Sequence, residues 1–176
     1  LKRPLLAITL ASVGAKISPL LILAQIAGLA GHGANAWALW QVCLGWAVLG
    51  LVQAGAAALA GTLTDRLGAV TFLRLGWIAG AGVFVALAAI PSGPWLIVAG
   101  VAYGVLSGLT EGAEKTWLAE LAPAHERALA FGALALVTAA AGLAGNAACG
   151  ALLVAHGPLV FAALAGLLLL GAVLLS

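Results

Sequence analysis

The sequence predicts an all-α membrane protein with six transmembrane helices, and three observations lead to this fold class. Apolar residues make up 65% of the 176 residues, and glycine adds 24 more, whereas a soluble domain is about 45–50% apolar with glycine included. Charged residues are 7%, against about 25% in soluble domains. The apolar runs have bilayer length and lack the alternation of a β-barrel, so helices are the expected spanning elements.

This composition argues against several classes of function. A water-soluble enzyme of this size would leave too much apolar surface in water. Seven Lys and Arg against five Asp and Glu form no basic stripe, so no nucleic-acid partner is expected. An intramembrane protease would need paired Asp, or Ser with His, at one depth, and the only Asp is Asp65. We therefore expect neither an enzyme nor a cofactor.

Breaks in the apolar pattern divide the chain into six segments of about the 20 residues that a bilayer needs. In chain order these predicted spans are 5–29, 37–60, 73–90, 95–121, 128–155 and 159–175. Glycine, His and Asn end the first span (30–35), and glycine with a charged pair ends the second (61–66). Proline occurs in the breaks that end the third (91–94), fourth (122–127) and fifth (156–158), where it marks turns. The sixth span is apolar to its end.

The distribution of Lys and Arg predicts the orientation in the membrane. The connections around His32, Pro91 and His156 contain neither residue. Basic residues lie instead at the N-terminus and in the second and fourth connections, namely Lys2, Arg3, Arg66, Arg74 and Arg127. By the positive-inside rule both termini face the cytoplasm, which agrees with an even number of spans. His125 is then on the opposite side from the other two His, so the three cannot share a metal.

Small residues at four-residue spacing predict close helix packing. The rows are Gly100, Gly104, Gly108 and Gly112 on the fourth segment and Thr138, Gly142, Asn146 and Gly150 on the fifth. Such rows let helix backbones approach closely in lipid, although a chain this rich in Gly and Ala also produces them by chance. We expect leucine at Gly104 or Gly108 to disrupt the bundle more than leucine at Gly171. Gln53 and Asn146 are expected to make interhelical hydrogen bonds.

Four charged residues lie deep inside apolar segments. Lys16 is in the first segment, and Glu111, Glu114 and Lys115 share one face of the fourth at i, i+3 and i+4. A charge at the centre of a lone spanning helix costs about 2.5–3.5 kcal/mol, so these side chains should face a partner or a watery cavity. The alternative is a purely structural ion pair between Glu111 and Lys115.

Two stretches of the sequence resemble the major facilitator superfamily. Residues 61–68, Gly-Thr-Leu-Thr-Asp-Arg-Leu-Gly, are similar to the cytoplasmic signature between paired helices, which reads roughly G-x-L-x-D-R-x-G followed by a basic pair. Ala69 and Val70 stand in place of that pair, and Arg74 is the nearest possible stand-in for it. Residues 108–132 resemble the region of the tenth and eleventh helices in bacterial members. The resemblance covers nearly the whole chain and implies the C-terminal six-helix half of a twelve-helix transporter, with its 3+3 repeat.

The resemblance also implies roles for particular residues. In this family the first and fourth helices of each half line the central cavity. The residues that this places on the path of substrate or ion are Lys16, Glu111, Glu114 and Lys115. The residues that it assigns to conformational control are Gly61, Asp65, Arg66, Gly68 and Arg127. If protons drive transport, Glu111 or Glu114 is the expected coupling site.

The resulting expectation is a multi-pass secondary-active transporter of the bacterial inner membrane that moves a small solute by alternating access. Its expected partners are the lipid bilayer, an N-terminal six-helix half and the solute. The sequence has no Met, so we expect it to begin inside a longer product or to have been trimmed. Two other classes stay open: a non-transporting membrane scaffold or assembly subunit with structural charges only, and a self-assembling six-helix channel or half-size transporter.

Overall fold

The computed structural model describes residues 8, 11, 19–26, 39–90 and 94–175. These residues are almost entirely helical and contain no strand, which confirms the all-α prediction for this part of the chain. The helices are α1 (Pro19–Ile26), α2 (Leu39–Leu67), α3 (Ala69–Ala89), α4 (Pro94–Leu121), α5 (Arg127–His156) and α6 (Leu159–Leu174). Ile8 and Ala11 are also helical, and both are buried.

Four of these helices, α2 to α5, are long and apolar enough to cross a membrane. Helix α6 is apolar over 16 residues, and α1 lies within the first predicted span. The predicted and observed bounds agree closely for the last three helices. Helix α4 ends at Leu121 and α6 begins at Leu159, as predicted. The lengths of the apolar runs in the sequence therefore predicted these three helices.

The structure differs from the prediction where the second span meets the third. Helix α2 continues to Leu67 rather than ending at residue 60, and α3 begins at Ala69. The connection between them is Gly68 alone, whose φ of 79° is a left-handed value that suits glycine. The whole stretch 61–67 is therefore helical, and Arg74 lies inside α3 rather than in a turn. Polar residues that continue a helix past its apolar run are mistaken for a turn when only the apolar run is followed.

Helix α3 holds the bundle together. The most extensive interhelical contacts join α2 to α4, α3 to α6 and α3 to α4. One face of α3 supplies a buried row at helical spacing, consisting of Ala69, Leu73, Trp77, Ala81, Phe84 and Leu87. The Phe84 ring lies 5.7 Å from that of Tyr103 on α4 and 6.2 Å from that of Phe161 on α6, measured between centroids. These aromatic contacts connect three helices at one level.

The glycine row of α4 lies against α2, and this is the close approach that its spacing predicts. A Cβ atom added at Gly104 would meet α2 at 3.5–3.6 Å, which is ordinary van der Waals contact. One added at Gly112 would lie 2.5 Å from the Ala60 Cβ, and one at Gly108 would overlap the backbone carbonyl oxygen of Gln53. Only the absence of side chains lets the two backbones come this close.

Gly171, on α6, is also closely packed. An added Cβ there would lie 3.0 Å from the Ala11 Cβ and 3.3 Å from the Trp77 ring. Leucine is therefore expected to disturb the packing at this position too, and its effect relative to leucine at Gly104 or Gly108 stays a prediction. Gly171 belongs to no four-residue row, and its close packing arises from the pairing of α6 with α3, which spacing within one helix does not show.

A polar contact joins α2 to α4 beside the closest glycine. The Gln53 Nε2 donates a hydrogen bond to the Ser107 Oγ at 3.2 Å, which confirms the interhelical hydrogen bond predicted for Gln53. Ser107 immediately precedes Gly108, so the close approach of the backbones brings the hydroxyl within reach of the amide. Such bonds contribute about 0.6 kcal/mol on average between membrane helices.

The outer faces of α2 and α5 are apolar and exposed. On α2, Leu51 is 74% exposed and Trp40 is 65% exposed; on α5, Val154 is 85% exposed and Leu129 is 76% exposed. Continuous apolar surfaces of this kind are unfavourable in water. They suit contact with hydrocarbon or with another apolar protein surface.

Candidate functional site

An open groove lies between α4 and α5. Its volume is about 710 Å³, within the range of about 300–1,000 Å³ typical of small-molecule sites. Helix α4 contributes Glu111, Glu114 and Lys115 to its lining. Helix α5 contributes Phe131, Leu134, Ala135, Thr138, Ala139, Gly142, Leu143 and Asn146. The groove therefore brings three charged residues predicted from the sequence opposite a largely apolar wall.

The groove exists because each helix presents one face to it. On α4 the spacing i, i+3 and i+4 places the three charged side chains together. On α5 the lining residues recur at steps of three and four from 131 to 146, which is one helical face. Helix α5 packs only sparsely against its neighbours, so the space beside it stays open. Small residues on α5 widen the groove further.

The two carboxylates of the groove have different surroundings. The Lys115 Nζ lies 2.9 Å from the Glu111 Oε1, and these side chains are 59% and 36% exposed, respectively. Glu114 is only 2% exposed. The ion pair expected under the structural interpretation is therefore formed within α4.

The other predicted site residues lie away from the groove. Residues 61–68 form the last turns of α2 and the link to α3. Asp65 is exposed there, and no described side chain caps the start of α3. Arg127 begins α5, and its Nε donates a hydrogen bond to the carbonyl oxygen of Ala122 at 3.4 Å. Lys16 lies outside the described residues, so its place on the cavity side stays a prediction.

The small-residue rows occupy two different environments. On α4, Gly104, Gly108 and Gly112 face α2, and Gly100 is buried. On α5, Thr138, Gly142 and Asn146 line the groove. Sequence spacing identified both faces but could not distinguish a packed face from one that borders a cavity.

The apolar half of the groove was not predicted from the sequence. Five lining residues were missed: Phe131, Leu134, Ala135, Ala139 and Leu143. Each lies three or four residues from another lining residue on the same face of α5, so extending the row through Thr138 in both directions would have found them. Their side chains are apolar and have no charged or reactive group that would indicate a site.

Comparisons with known proteins add no family. No protein-family model matches the chain, and no curated protein is significantly similar to it. The resemblance to the major facilitator superfamily therefore rests on residues 61–68 and 108–132 alone.

Proposed function

We propose that this chain is one six-helix half of a secondary-active membrane transporter and that the groove between α4 and α5 is part of the solute path. One observation supports this most strongly. The groove of about 710 Å³ is lined by Glu111, Glu114 and Lys115 between two helices of membrane-spanning length. Charged residues within membrane helices are rare and commonly mark substrate or ion pathways.

The proposed mechanism is alternating access. An N-terminal six-helix half would cover the open side of the groove, and rocking of the two halves would expose it to each side of the membrane in turn. The close contact between α2 and α4 would let this half move as a rigid body. A carboxylate on the groove wall, Glu111 or Glu114, would exchange protons with whichever side supplies water, which is the chemistry that proton coupling requires.

A non-transporting scaffold or assembly subunit is the second candidate, and one observation favours it. The Glu111–Lys115 pair is complete within α4 at 2.9 Å, so these charges could be structural only. The DNA upstream of the codon for Leu1 distinguishes the two functions. Six further membrane spans in the same frame would support the transporter, whereas their absence would contradict its twelve-helix form.

We also propose that the chain lies in the bacterial inner membrane with both termini in the cytoplasm. Reporter fusions at Gly33 and Gly157 are expected to behave as periplasmic, because the connections around them contain no Lys or Arg. A fusion at Ala124, between α4 and α5, serves as the cytoplasmic control. Cytoplasmic reporter activity at both Gly33 and Gly157 would contradict this orientation.

A further inference from the structure

A small cavity lies where α3, α4 and α6 meet. Its volume is about 20 Å³, and a polar cavity needs about 10–15 Å³ to hold one water molecule. None of the residues that line it is exposed. Two glycines of α3 border it closely: a Cβ added at Gly76 would overlap the Thr110 Cγ2, and one added at Gly80 would lie 3.2 Å from α6. The cavity therefore has room for one water molecule and not for a larger ligand.

A buried hydrogen-bond donor lies beside this cavity. Trp77 on α3 lines it and is 1% exposed, and no described group accepts a hydrogen bond from the Trp77 Nε1. The Cε3 and Cζ3 atoms of the same ring lie 3.3 Å from a Cβ added at Gly171 on α6. Because Nε1 is on the opposite edge of the indole, its N–H points away from Gly171. A buried N–H without an acceptor is costly, so this donor favours a ligand that accepts its proton.

Two hydroxyl groups of α4 line the same cavity. The Thr110 Oγ1 donates its proton to the carbonyl oxygen of Leu106 at 2.9 Å, so it can still accept hydrogen bonds through its lone pairs. The Ser107 Oγ accepts a hydrogen bond from the Gln53 Nε2, and the Ser107 side chain is also hydrogen-bonded to Tyr103. A hydroxyl has one proton and two lone pairs, so Ser107 can make one further bond. Together with Trp77, these groups provide the two to four polar partners that a buried water requires.

We propose that this cavity binds one structural water molecule that bridges α3 to α4. The water accepts the Nε1 proton of Trp77 and donates a proton to the Thr110 Oγ1, and Ser107 is its third partner. Because Ser107 is also bonded to Gln53 on α2, the water extends one hydrogen-bond network across three helices. The site depends only on contacts among the described helices and not on whether the chain transports a solute.

Nuclear magnetic resonance of the indole protons tests for this water. We would label the tryptophans isotopically in the full chain, in lipid nanodiscs, and measure magnetisation transfer from water to each indole proton. The Trp77 signal is the one that Trp77→Phe removes; if that variant does not fold, elimination with phenylalanine at each of the other tryptophans identifies it. The Trp77 proton is expected to receive magnetisation from water although the side chain is buried. No transfer to this proton would overturn the proposal.

Thr110→Val tests which group holds the water. Valine is similar in shape to threonine but cannot accept a hydrogen bond, so the transfer to Trp77 is expected to fall severalfold and the indole proton resonance to move upfield. Thr116→Val is the matched control, because Thr116 also lies on α4 and donates to the carbonyl oxygen four residues before it, that of Gly112 at 3.2 Å, without lining the cavity. Unchanged signals in Thr110→Val would overturn the proposal.

The position of the resonance also distinguishes a bound water from a hydroxyl that merely relays magnetisation. A signal relayed by the Thr110 hydroxyl would fall in Thr110→Val while the Trp77 resonance kept its position, because no hydrogen bond to the indole would be lost. That combination would overturn the water site, whereas reduced transfer together with a moved resonance supports it. Thr110→Ser keeps the hydroxyl and is expected to keep both signals. Loss of both signals in Thr110→Ser would contradict the site.

Discussion

Replacing Gly108 with alanine or leucine is expected to destabilise the helix bundle severely or to prevent its folding. The added Cβ would overlap the backbone carbonyl oxygen of Gln53, and a backbone atom cannot move aside as the end of a flexible side chain can. Overpacking typically costs about 1–3 kcal/mol, and a backbone obstacle places Gly108→Ala at the upper end of that range or above it. Unfolding in increasing SDS, followed by circular dichroism, measures the loss.

The same substitutions at Gly55 provide the matched control. Gly55 lies in α2, the helix that α4 contacts, but it is exposed, and no described atom outside its own helix turn lies within 4 Å of an added Cβ. Gly104→Ala is expected to be mild, because its added Cβ meets α2 only at ordinary van der Waals distances. Equal stability of Gly108→Ala and Gly55→Ala would show that the close contact between α2 and α4 is not needed.

Glu111→Gln is expected to abolish transport or its pH dependence in the proposed twelve-helix protein while leaving membrane insertion and yield normal. Glutamine keeps the size and hydrogen bonding of the side chain but cannot carry a charge or a titrating proton. It also removes the counter-charge that lies 2.9 Å from the Lys115 ammonium in the groove. We expect the transport rate to fall at least about tenfold, which corresponds to about 1.4 kcal/mol in the barrier.

Two comparisons separate a role in transport from a structural role. Glu120→Gln, on the same helix but outside the groove lining, should transport at the wild-type rate. If Glu111→Gln also transports normally while Glu111→Ala merely lowers the yield, then Glu111 only stabilises the helix through Lys115. The scaffold function would then be favoured.

Helices were predictable here because bilayer length and apolar composition are local properties. The bounds of α4 and α6 followed from Pro and charged residues at the ends of apolar runs. The end of α2 was not predictable in this way, since Asp65 and Arg66 are compatible both with a turn and with a last helical turn. Gly68, whose positive φ ends that helix, is one of many glycines in the chain, and its neighbours in the sequence do not distinguish it from the others.

The candidate site was only half predictable, for a related reason. Charged residues at i, i+3 and i+4 in an apolar helix identified the α4 wall of the groove. The sequence did not distinguish half-buried Glu111 from buried Glu114, because they lie one turn apart on one face and the rotation of the helix decides which is covered. The α5 wall depends on which helices lie side by side. Apolar residues such as Ala139 and Leu143 do not show from their sequence positions which helix they face.

Cysteine labelling at Ala139 tests directly whether the groove is a water-filled solute path. Ala139 lies in the middle part of α5, is exposed and lines the groove, whereas Leu136, on the same helix, is 72% exposed without lining it. Each would be changed to cysteine after Cys43→Ala and Cys149→Ala, and a charged, membrane-impermeant maleimide would be applied to either side of the membrane. Labelling of Ala139→Cys from both sides, with Leu136→Cys protected by hydrocarbon, is the predicted result. Protection of both cysteines, or equal labelling of both, would contradict a solute path between α4 and α5.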